Sequence, residues 1–344
     1  MAITVINKLN PYFEIIGLLY DSVCPDPVEE ERWKKSAKDR GINPEELAKK
    51  IGPVTKKYHA VFQKYMTGRD MEDFEFFFFH EEEEFVLFFQ SVCGEHPEWF
   101  ETELEDSQRE EIQLAVIQEI SETEKFSEPP ELEQMIDVLE KAGYGGALGW
   151  KFLQFLQSPV EKMRNLSKII RVNFPAFEKA EGAVEKQLEK LIEDFQKGVE
   201  KDYLVAKISR EAAAFPTLVC PGAEIISFAP DSTTAYIGLF VKDIYKMLEK
   251  GRNTRKHLLS ALKALGDSSK FEILQLLQIS PRYNLEIAEK LKLSAPTVSH
   301  HMSVLLENGL VDVEKRDGKV YYTLSKEKLS EITEALMDIF SLRQ

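Results

Sequence analysis

The feature that most constrains the fold is a series of short apolar segments between residues 252 and 344, each with its own start or stop signal. Asp267 is a good N-cap residue for one helix, and Ser294 followed by Pro296 begins another. Gly309 ends that second helix, because glycine readily adopts the left-handed conformation found after helix ends. The apolar spacing predicts four helices here. The predicted apolar positions of the first three are Leu258, Leu259, Leu262, Leu265, Phe271, Ile273, Leu274, Leu277, Ile287, Ala288 and Leu291.

The fourth helix is followed by a pattern typical of a β-hairpin. Residues 310–315 and 319–324 are strand-like, and the intervening Asp317-Gly318 favours a tight turn. An amphipathic stretch from about Ser325 predicts one more helix, with Leu329, Ile332, Leu336 and Ile339 on its apolar face. Four helices, a hairpin and a final helix, in that order, are the plan of a winged helix-turn-helix. Such domains place a recognition helix in the major groove of DNA.

Three stretches of this segment resemble the ArsR/SmtB family of bacterial regulators. They are LKALGDSSKFEILQLL (262–277), IAEKLKLSAPTVSHHMSVLLENGLV (287–311) and RDGKVYYTL (316–324), and the resemblance spans about 80 residues. It implies a cytoplasmic transcription regulator, with repression as the expected mode. It also implies a homodimer joined through the first and last helices of this domain and bound to a palindromic operator in double-stranded DNA.

Helix geometry predicts the side chains that meet DNA. In the helix 294–308, Val298, Met302 and Leu305 share one face and should pack inward, with His301 beside that face. The other faces and the hairpin carry hydroxyls, an imidazole and basic groups, which suit base edges and phosphates. The alternative for the hairpin is a merely solvated basic turn. The predicted DNA contacts are Ser294, Thr297, Ser299, His300, Ser303, Lys315, Arg316 and Lys319.

This sequence lacks the ligands of both metal-site types that are known in the resembled family. One site type in the family uses a Cys-x-Cys pair at the start of the third helix, and those positions hold Tyr283 and Leu285 here. The other uses histidines and acids of the last helix, yet no histidine follows His301. Soft cations need sulfur ligands, and residues 252–344 contain no cysteine. We therefore expect no metal and no cofactor, and a non-metal effector sensed elsewhere.

The charge of the chain is divided very unevenly. The net charge is −15, but residues 251–344 hold 14 basic and 12 acidic groups, a balance of +2. The other 250 residues hold 30 basic and 47 acidic groups, a balance of −17. An acidic part of this kind repels DNA. We therefore predict two domains with different tasks, 1–250 and 251–344.

Helical patterns dominate the first 250 residues. The first seven residues suggest a short strand, and a helix is predicted from Asn10-Pro11. Residues 216–220, 224–228 and 235–241 are short, apolar and separated by turn residues, which predicts a small sheet. The fold class is therefore mainly α in both domains. Further helices are predicted over 44–66, 72–93, 108–121, 131–141, 147–157, 159–170 and 176–201.

Three motifs in this part invite a sharper interpretation. GYGGALG (143–149) is glycine-rich, but Leu148 stands where a dinucleotide fingerprint needs its third glycine, so an interhelical turn is favoured. His80 with Glu83 or Glu84 could supply two metal ligands, against a helix with a Phe-rich and an acidic side. Val-Cys-Pro occurs at Cys24 and at Cys220, which could bind haem, against structural cysteines.

The N-terminal domain is predicted to sense a small apolar or amphipathic effector. A protein-partner surface and a structural dimerisation module are alternatives, and an enzyme fused to a DNA-binding head is the competing class. We find no nucleophile–base motif or phosphate loop in the first 250 residues. No apolar run approaches the roughly 18 residues of a membrane span. Three distant cysteines favour a reducing compartment. Aromatic residues that could line a core or a pocket are Trp33, Trp99, Trp150, Phe152, Phe155, Tyr203 and Phe215.

Overall fold

A computed structural model describes most of the chain and divides it into two compact units. One unit consists of residues 1–27, 48–206 and 210–242, and the other of 28–47, 207–209 and 243–344. Helices predominate, as the sequence predicts. The residues described are 2–23, 37, 42–78, 83–121, 126–205, 211–228, 233–252, 255–316 and 319–340.

The elements up to residue 252 follow the predicted order with three differences. Two helices occupy the predicted segment 72–93, one helix spans the predicted 159–170 and 176–201, and a short helix at 98–101 was not predicted. The helices are α1 (Pro11–Val23), α2 (Pro44–Tyr65), α3 (Phe74–Phe78), α4 (Glu83–Glu95), α5 (Glu98–Glu101), α6 (Arg109–Ser121), α7 (Leu132–Lys141), α8 (Gly146–Gln157), α9 (Pro159–Asp202) and α10 (Val241–Arg252). The strands are β1 (Ala2–Val5), β2 (Glu211–Thr217), β3 (Glu224–Phe228) and β4 (Thr233–Gly238).

The predicted small sheet contains the first strand of the chain as well as the three later ones. Its order is β1-β2-β4-β3, with β1, β2 and β4 parallel and β3 antiparallel to β4. In register, Ala2 lies opposite Glu211, and Ala213 lies opposite Thr234. Every residue of β4 is buried, because this strand has a neighbour on each side and is covered on both faces.

Helix α1 lies in the core of this unit. Phe13, Ile15 and Leu19 are fully buried, and the helix packs against α4 and α9. Phe13 stacks on Tyr236 of β4 with ring centroids 3.8 Å apart. Gly94 of α4 allows this packing, because a Cβ atom there would collide with the Tyr236 hydroxyl. Apolar packing between the first and last segments of this unit therefore holds the sheet and α1 together.

Several predictions for this unit are wrong in detail. Pro175 does not separate two helices but lies inside the 44-residue helix α9, where the apolar stripe continues on both sides of it. Strand β2 begins at Glu211 and ends at Thr217, before the predicted segment 216–220 is complete. Trp150 is 60% exposed rather than buried. The first three residues of GYGGALG (143–149) lie between α7 and α8, as predicted, and the last four form the start of α8. His80, the Cys24-Pro25 pair and Trp33 lie outside the described residues.

The second unit contains the predicted winged helix-turn-helix. After the larger part of α10, its elements are α11 (Arg255–Leu265), α12 (Ser268–Ile279), α13 (Asn284–Leu291), α14 (Ala295–Glu307), β5 (Val311–Arg316), β6 (Lys319–Leu324) and α15 (Lys326–Ile339). One apolar core joins helices α11 to α15, and it includes Ile273, Ile287, Val298, Leu305 and Ile332. The Asp317-Gly318 turn lies outside the described residues.

Three predicted apolar-face residues of this unit are exposed. Leu259 of α11 is 51% exposed, Phe271 of α12 is 47% exposed and Ile339 of α15 is 53% exposed. Helical spacing placed these residues on the apolar face of each helix. It did not distinguish the centre of that face, which packs on the core, from its edge, which remains exposed. They lie on the surface of the single chain together with Phe340, which is 67% exposed.

Candidate nucleic-acid interface

Helix α14 is fixed in place by its cap and by its buried face. The Ser294 hydroxyl accepts a hydrogen bond from the Thr297 backbone N–H at 3.2 Å, so it caps the helix as predicted. Val298, Met302 and Leu305 are buried in the core of the unit. These contacts determine which side chains of α14 remain on the surface.

The exposed side of α14 carries the predicted contacts Thr297, Ser299, His300 and Ser303. Three of these already have partners in the chain. The Thr297 hydroxyl lies 2.7 Å from that of Ser294, and the Ser303 hydroxyl donates to the Ser299 carbonyl at 3.0 Å. The Ser299 hydroxyl accepts from Asn284 Nδ2 at 3.2 Å, so its own O–H remains able to donate. Together these groups form a polar, preorganised face.

The two adjacent histidines differ in environment. His300 is exposed, whereas His301 is half-buried and its Nδ1 atom is buried without a partner among the described groups. Burial, followed by the nearby Lys270 ammonium, lowers the pKa of His301. His301 is therefore neutral at pH 7, and His300 is the imidazole that lies on the surface.

The hairpin is joined to the start of the helix-turn-helix by backbone and side-chain contacts. Strand β5 pairs with β6, and the backbone of Arg282 pairs with that of Tyr322, through N–H to carbonyl distances of 3.2 and 2.8 Å. The ring of Tyr283 meets that of Tyr321 edge-on, with centroids 5.5 Å apart. The Lys319 ammonium lies 4.5 Å from the Tyr283 ring centroid. Lys319, a predicted phosphate contact, therefore also holds the β5–β6 hairpin, called the wing from here on, against Tyr283.

Sequence reasoning missed this group. It treated Tyr283 only as a position without a metal ligand, and it did not consider Asn284 or Tyr321. Their separation along the chain gave no local signal, because the pairing arises from the way the wing folds back. The side chains of Lys315 and Arg316 are outside the described part, so their predicted phosphate contacts remain predictions.

The described residues contain no group of three or more His, Cys, Asp or Glu side chains arranged to hold a metal ion. Glu84, which was considered as a metal ligand together with His80, is exposed at the start of α4. Cys93 is fully buried, and burial raises the pKa of its thiol far above the ordinary value. Cys220 is half-buried, with its sulfur 3.9 Å from Gln90 Nε2. A buried thiol with a raised pKa is a structural residue rather than a nucleophile.

Helix α1 carries a fully buried carboxyl group, that of Glu14. Its oxygens accept hydrogen bonds from the Thr217 hydroxyl at 2.6 Å and from the Tyr58 hydroxyl at 3.0 Å. The backbone N–H groups of Leu218 and Val219 also donate to it, each at 3.0 Å. Burial raises the pKa of Glu14 to about 7 despite these four donors. All four groups belong to the chain itself, so Glu14 ties α1 to α2 and to the end of β2.

Two further carboxyl groups, those of Glu95 and Glu119, lie near the hydroxyl of Ser227. Ser227 donates to Glu119 Oε1 at 2.9 Å, and Glu95 Oε1 is buried without a partner among the described atoms. Burial, followed by the charge of Glu119, raises the pKa of Glu95 to about 7. Burial also raises the pKa of Glu119. Both carboxyl groups therefore hold a proton more readily than an exposed glutamate does.

Within the described residues, no helix has the combination of length and apolarity needed to cross a bilayer.

Comparison with known proteins places residues 267–313 in the family "Bacterial regulatory protein, arsR family". The arsenical resistance operon repressor of Staphylococcus aureus is 40% identical over 81 residues, which are 24% of this chain and 78% of that protein. The Staphylococcus xylosus protein of the same name matches equally. The biofilm growth-associated repressor of Agrobacterium fabrum is 36% identical over 55 residues, 16% of this chain and 47% of its own length.

Proposed function

The chain belongs to the arsR family of bacterial regulatory proteins, and from that we propose that it is a DNA-binding transcriptional repressor. It binds a palindromic operator as a homodimer and responds to a non-metal effector through its N-terminal part. The observation that carries the proposal is the exposed polar face of α14, whose capped N-terminus and buried apolar face present His300 and three hydroxyl-bearing residues to a groove. The family match lies in the C-terminal part, at residues 267–313. The role proposed for the N-terminal part is argued from the residues of that part.

Each group on this surface has a distinct role in the proposed complex. Thr297, Ser299 and His300 reach base edges from the N-terminal half of α14, while Ser294 and Ser303 contact phosphates or bases beside them. Lys315 and Arg316 of the wing contact phosphates. The balance of +2 in residues 251–344 allows this approach, whereas the −17 of the preceding residues opposes it.

The homodimer is supported by uncovered apolar side chains on the first and last helices of the domain. Helices α11 and α15 pack against each other, and Leu259, Met337, Ile339 and Phe340 on or after them are between 41% and 67% exposed. We propose that a second copy covers these side chains, as it would cover an exposed apolar patch at a protein interface. A two-fold dimer reads two half-sites separated by about one helical turn, roughly 34 Å.

We propose a non-metal effector because Tyr283 occupies the first position of the family's Cys-x-Cys metal site. Its ring contacts the Lys319 ammonium instead of supplying a thiolate ligand. We assign the response to residues 1–250 and DNA reading to 251–344. We propose that the effector is a small apolar or amphipathic molecule, because the aromatic side chains in which the first unit is rich, Trp99, Phe152 and Phe155 among them, form an apolar interior that suits such a ligand.

A second candidate role for the N-terminal part is to bind a protein partner. Leu132 and Ile136 of α7 and Trp150 of α8 are 55%, 38% and 60% exposed. Helices α7 and α8 pack together, and exposed tryptophan is frequent at protein interfaces.

The proposal is tested by selecting DNA from a random duplex pool with the intact protein. We expect enriched duplexes with an inverted repeat, and native mass spectrometry of the complex should show two chains per duplex. Zinc, cadmium and arsenite should leave binding unchanged. Enrichment of no sequence would refute the regulator. A single bound chain would refute the dimer, and release by a stoichiometric metal would refute the non-metal effector.

A further inference from the structure

The turn of the helix-turn-helix contains a residue in an unfavourable backbone conformation. In the described part of the chain, two residues other than glycine have a positive φ, Asp73 at 62° and Lys292 at 53°. Asp73 is held by its carboxylate, which binds the Lys162 ammonium and the Asn165 amide. Lys292 differs, because its side chain forms no hydrogen bond or ion pair with another residue that the structure describes.

The backbone at this position must be left-handed for the two helices to connect. Lys292 follows α13 with φ 53° and ψ 42°, and the Leu293 N–H then donates to the Ala288 carbonyl at 3.0 Å. This bond is the helix-terminating pattern for which glycine is the usual residue, with asparagine next. A lysine has a Cβ atom that crowds the following carbonyl in this conformation. Glycine would therefore fit the turn better than the residue present.

Among the residues that the structure describes, none holds the Lys292 side chain at this turn. Lys292 is exposed, and it lies two residues before the Ser294 cap of α14. When the N-terminal half of α14 enters the major groove, the turn before it lies beside the phosphates that border that groove. A compact ammonium on a flexible stem is suited to neutralise a phosphate there. An unfavourable conformation kept without an internal contact indicates a task outside the chain.

We infer that Lys292 is a phosphate contact of the DNA complex, kept at a glycine-type position because its charge binds the DNA backbone. The inference rests on the proposed DNA binding and adds a residue to the interface. It predicts that removing the side chain changes stability and binding in opposite directions, which a purely structural residue would not do.

The experiment measures binding of intact wild-type and variant proteins to a duplex that the wild type enriches from a random pool. Lys292→Gly should lower affinity about 5–10-fold for each bound protomer at 0.1 M salt. The slope of log affinity against log salt should fall in magnitude by about 0.9 for each protomer. In thermal unfolding the same variant should melt at an equal or higher temperature than the wild type, because the left-handed turn suits glycine.

Matched variants separate charge from conformation. Lys292→Asn, which tolerates the turn without the charge, should lose as much affinity as Lys292→Gly. Lys292→Arg keeps the charge and should bind as the wild type does. Lys263→Ala removes an exposed lysine from α11 and should leave the salt slope unchanged. Unchanged affinity and slope in Lys292→Gly, or a lower melting temperature, would overturn the inference alone. A wild type that enriches no duplex would overturn it together with the proposed function.

Discussion

The two units of the chain place their polar groups in opposite ways. In the C-terminal unit the hydroxyls and the imidazole of α14 lie on the surface over an apolar core. In the N-terminal unit carboxyl groups lie inside, and Glu14 is fully buried among four donors. A polar surface is available to a ligand such as DNA, whereas a satisfied buried carboxyl fixes one arrangement of the chain. The comparison therefore predicts binding defects from changes in one unit and stability defects from changes in the other.

The largest expected effect comes from Glu14→Ala. The change leaves four donors without an acceptor, two of them backbone N–H groups, and each costs about 1–3 kcal/mol. We expect the N-terminal unit to lose more than about 4 kcal/mol of stability. Hydrogen exchange of the intact protein should show faster exchange in α1 and β2. Glu84→Ala, at an exposed position, is the control and should change little; a stable Glu14→Ala protein would contradict this account of the core.

The next effect is a dependence of stability on pH. The folded-state pKa of Glu95, about 7, exceeds its ordinary value of 4.5, so the folded state binds the proton more tightly. Its contribution is full below pH 4.5 and is lost as the pH rises through 7. Glu95→Gln should therefore reduce the loss of stability between pH 5 and 8 by about 2–3 kcal/mol.

Denaturant unfolding of both proteins at several pH values checks this prediction. Both proteins contain His59, whose pKa burial lowers to about 4. His59 therefore makes stability rise rather than fall with pH, and it does so equally in the two proteins. Parallel stability curves for wild type and Glu95→Gln would show that Glu95 titrates normally.

The sequence predicted the C-terminal unit far better than the N-terminal unit, for a physical reason. Asp267, Ser294 and Gly309 begin or end helices through contacts with residues only a few positions away. Local rules therefore locate the helices of the C-terminal unit. Strand β1 instead pairs with β2 across more than two hundred residues, and the donors to Glu14 come from α2 and the end of β2. No local pattern encodes such pairings. Within the interface, the same limit concealed the contact of Tyr283 with the wing.

A smaller effect is expected on DNA discrimination. His300→Ala or Thr297→Ala should reduce the preference for operator over random duplex by about 1–3 kcal/mol, because a base contact is lost. Arg316→Ala should instead weaken binding to both duplexes and flatten the salt dependence. Fluorescence anisotropy on the two duplexes measures both. If His300→Ala and Thr297→Ala discriminate as well as the wild type, α14 does not read bases as proposed.

The smallest effect is expected where the wing meets the helix-turn-helix. Tyr283→Leu removes the contact with Lys319 and the edge-on contact with Tyr321, each worth about 0.5–1 kcal/mol. We expect faster hydrogen exchange in β6 and a modest loss of affinity that is equal on operator and random duplex. Tyr283→Phe keeps the ring and serves as the control. Equal exchange in all three proteins would mean that the backbone pairing of Arg282 with Tyr322 alone holds the wing.

We propose that this chain reads DNA sequence, and one measurement tests this most directly. It is the ratio of the affinities of the intact protein for an enriched duplex and for a duplex of the same bases in shuffled order, at physiological salt. We expect a ratio of at least about a thousand, the range of specific DNA-binding proteins. Equal affinity for the two duplexes, or no binding to either, would contradict it.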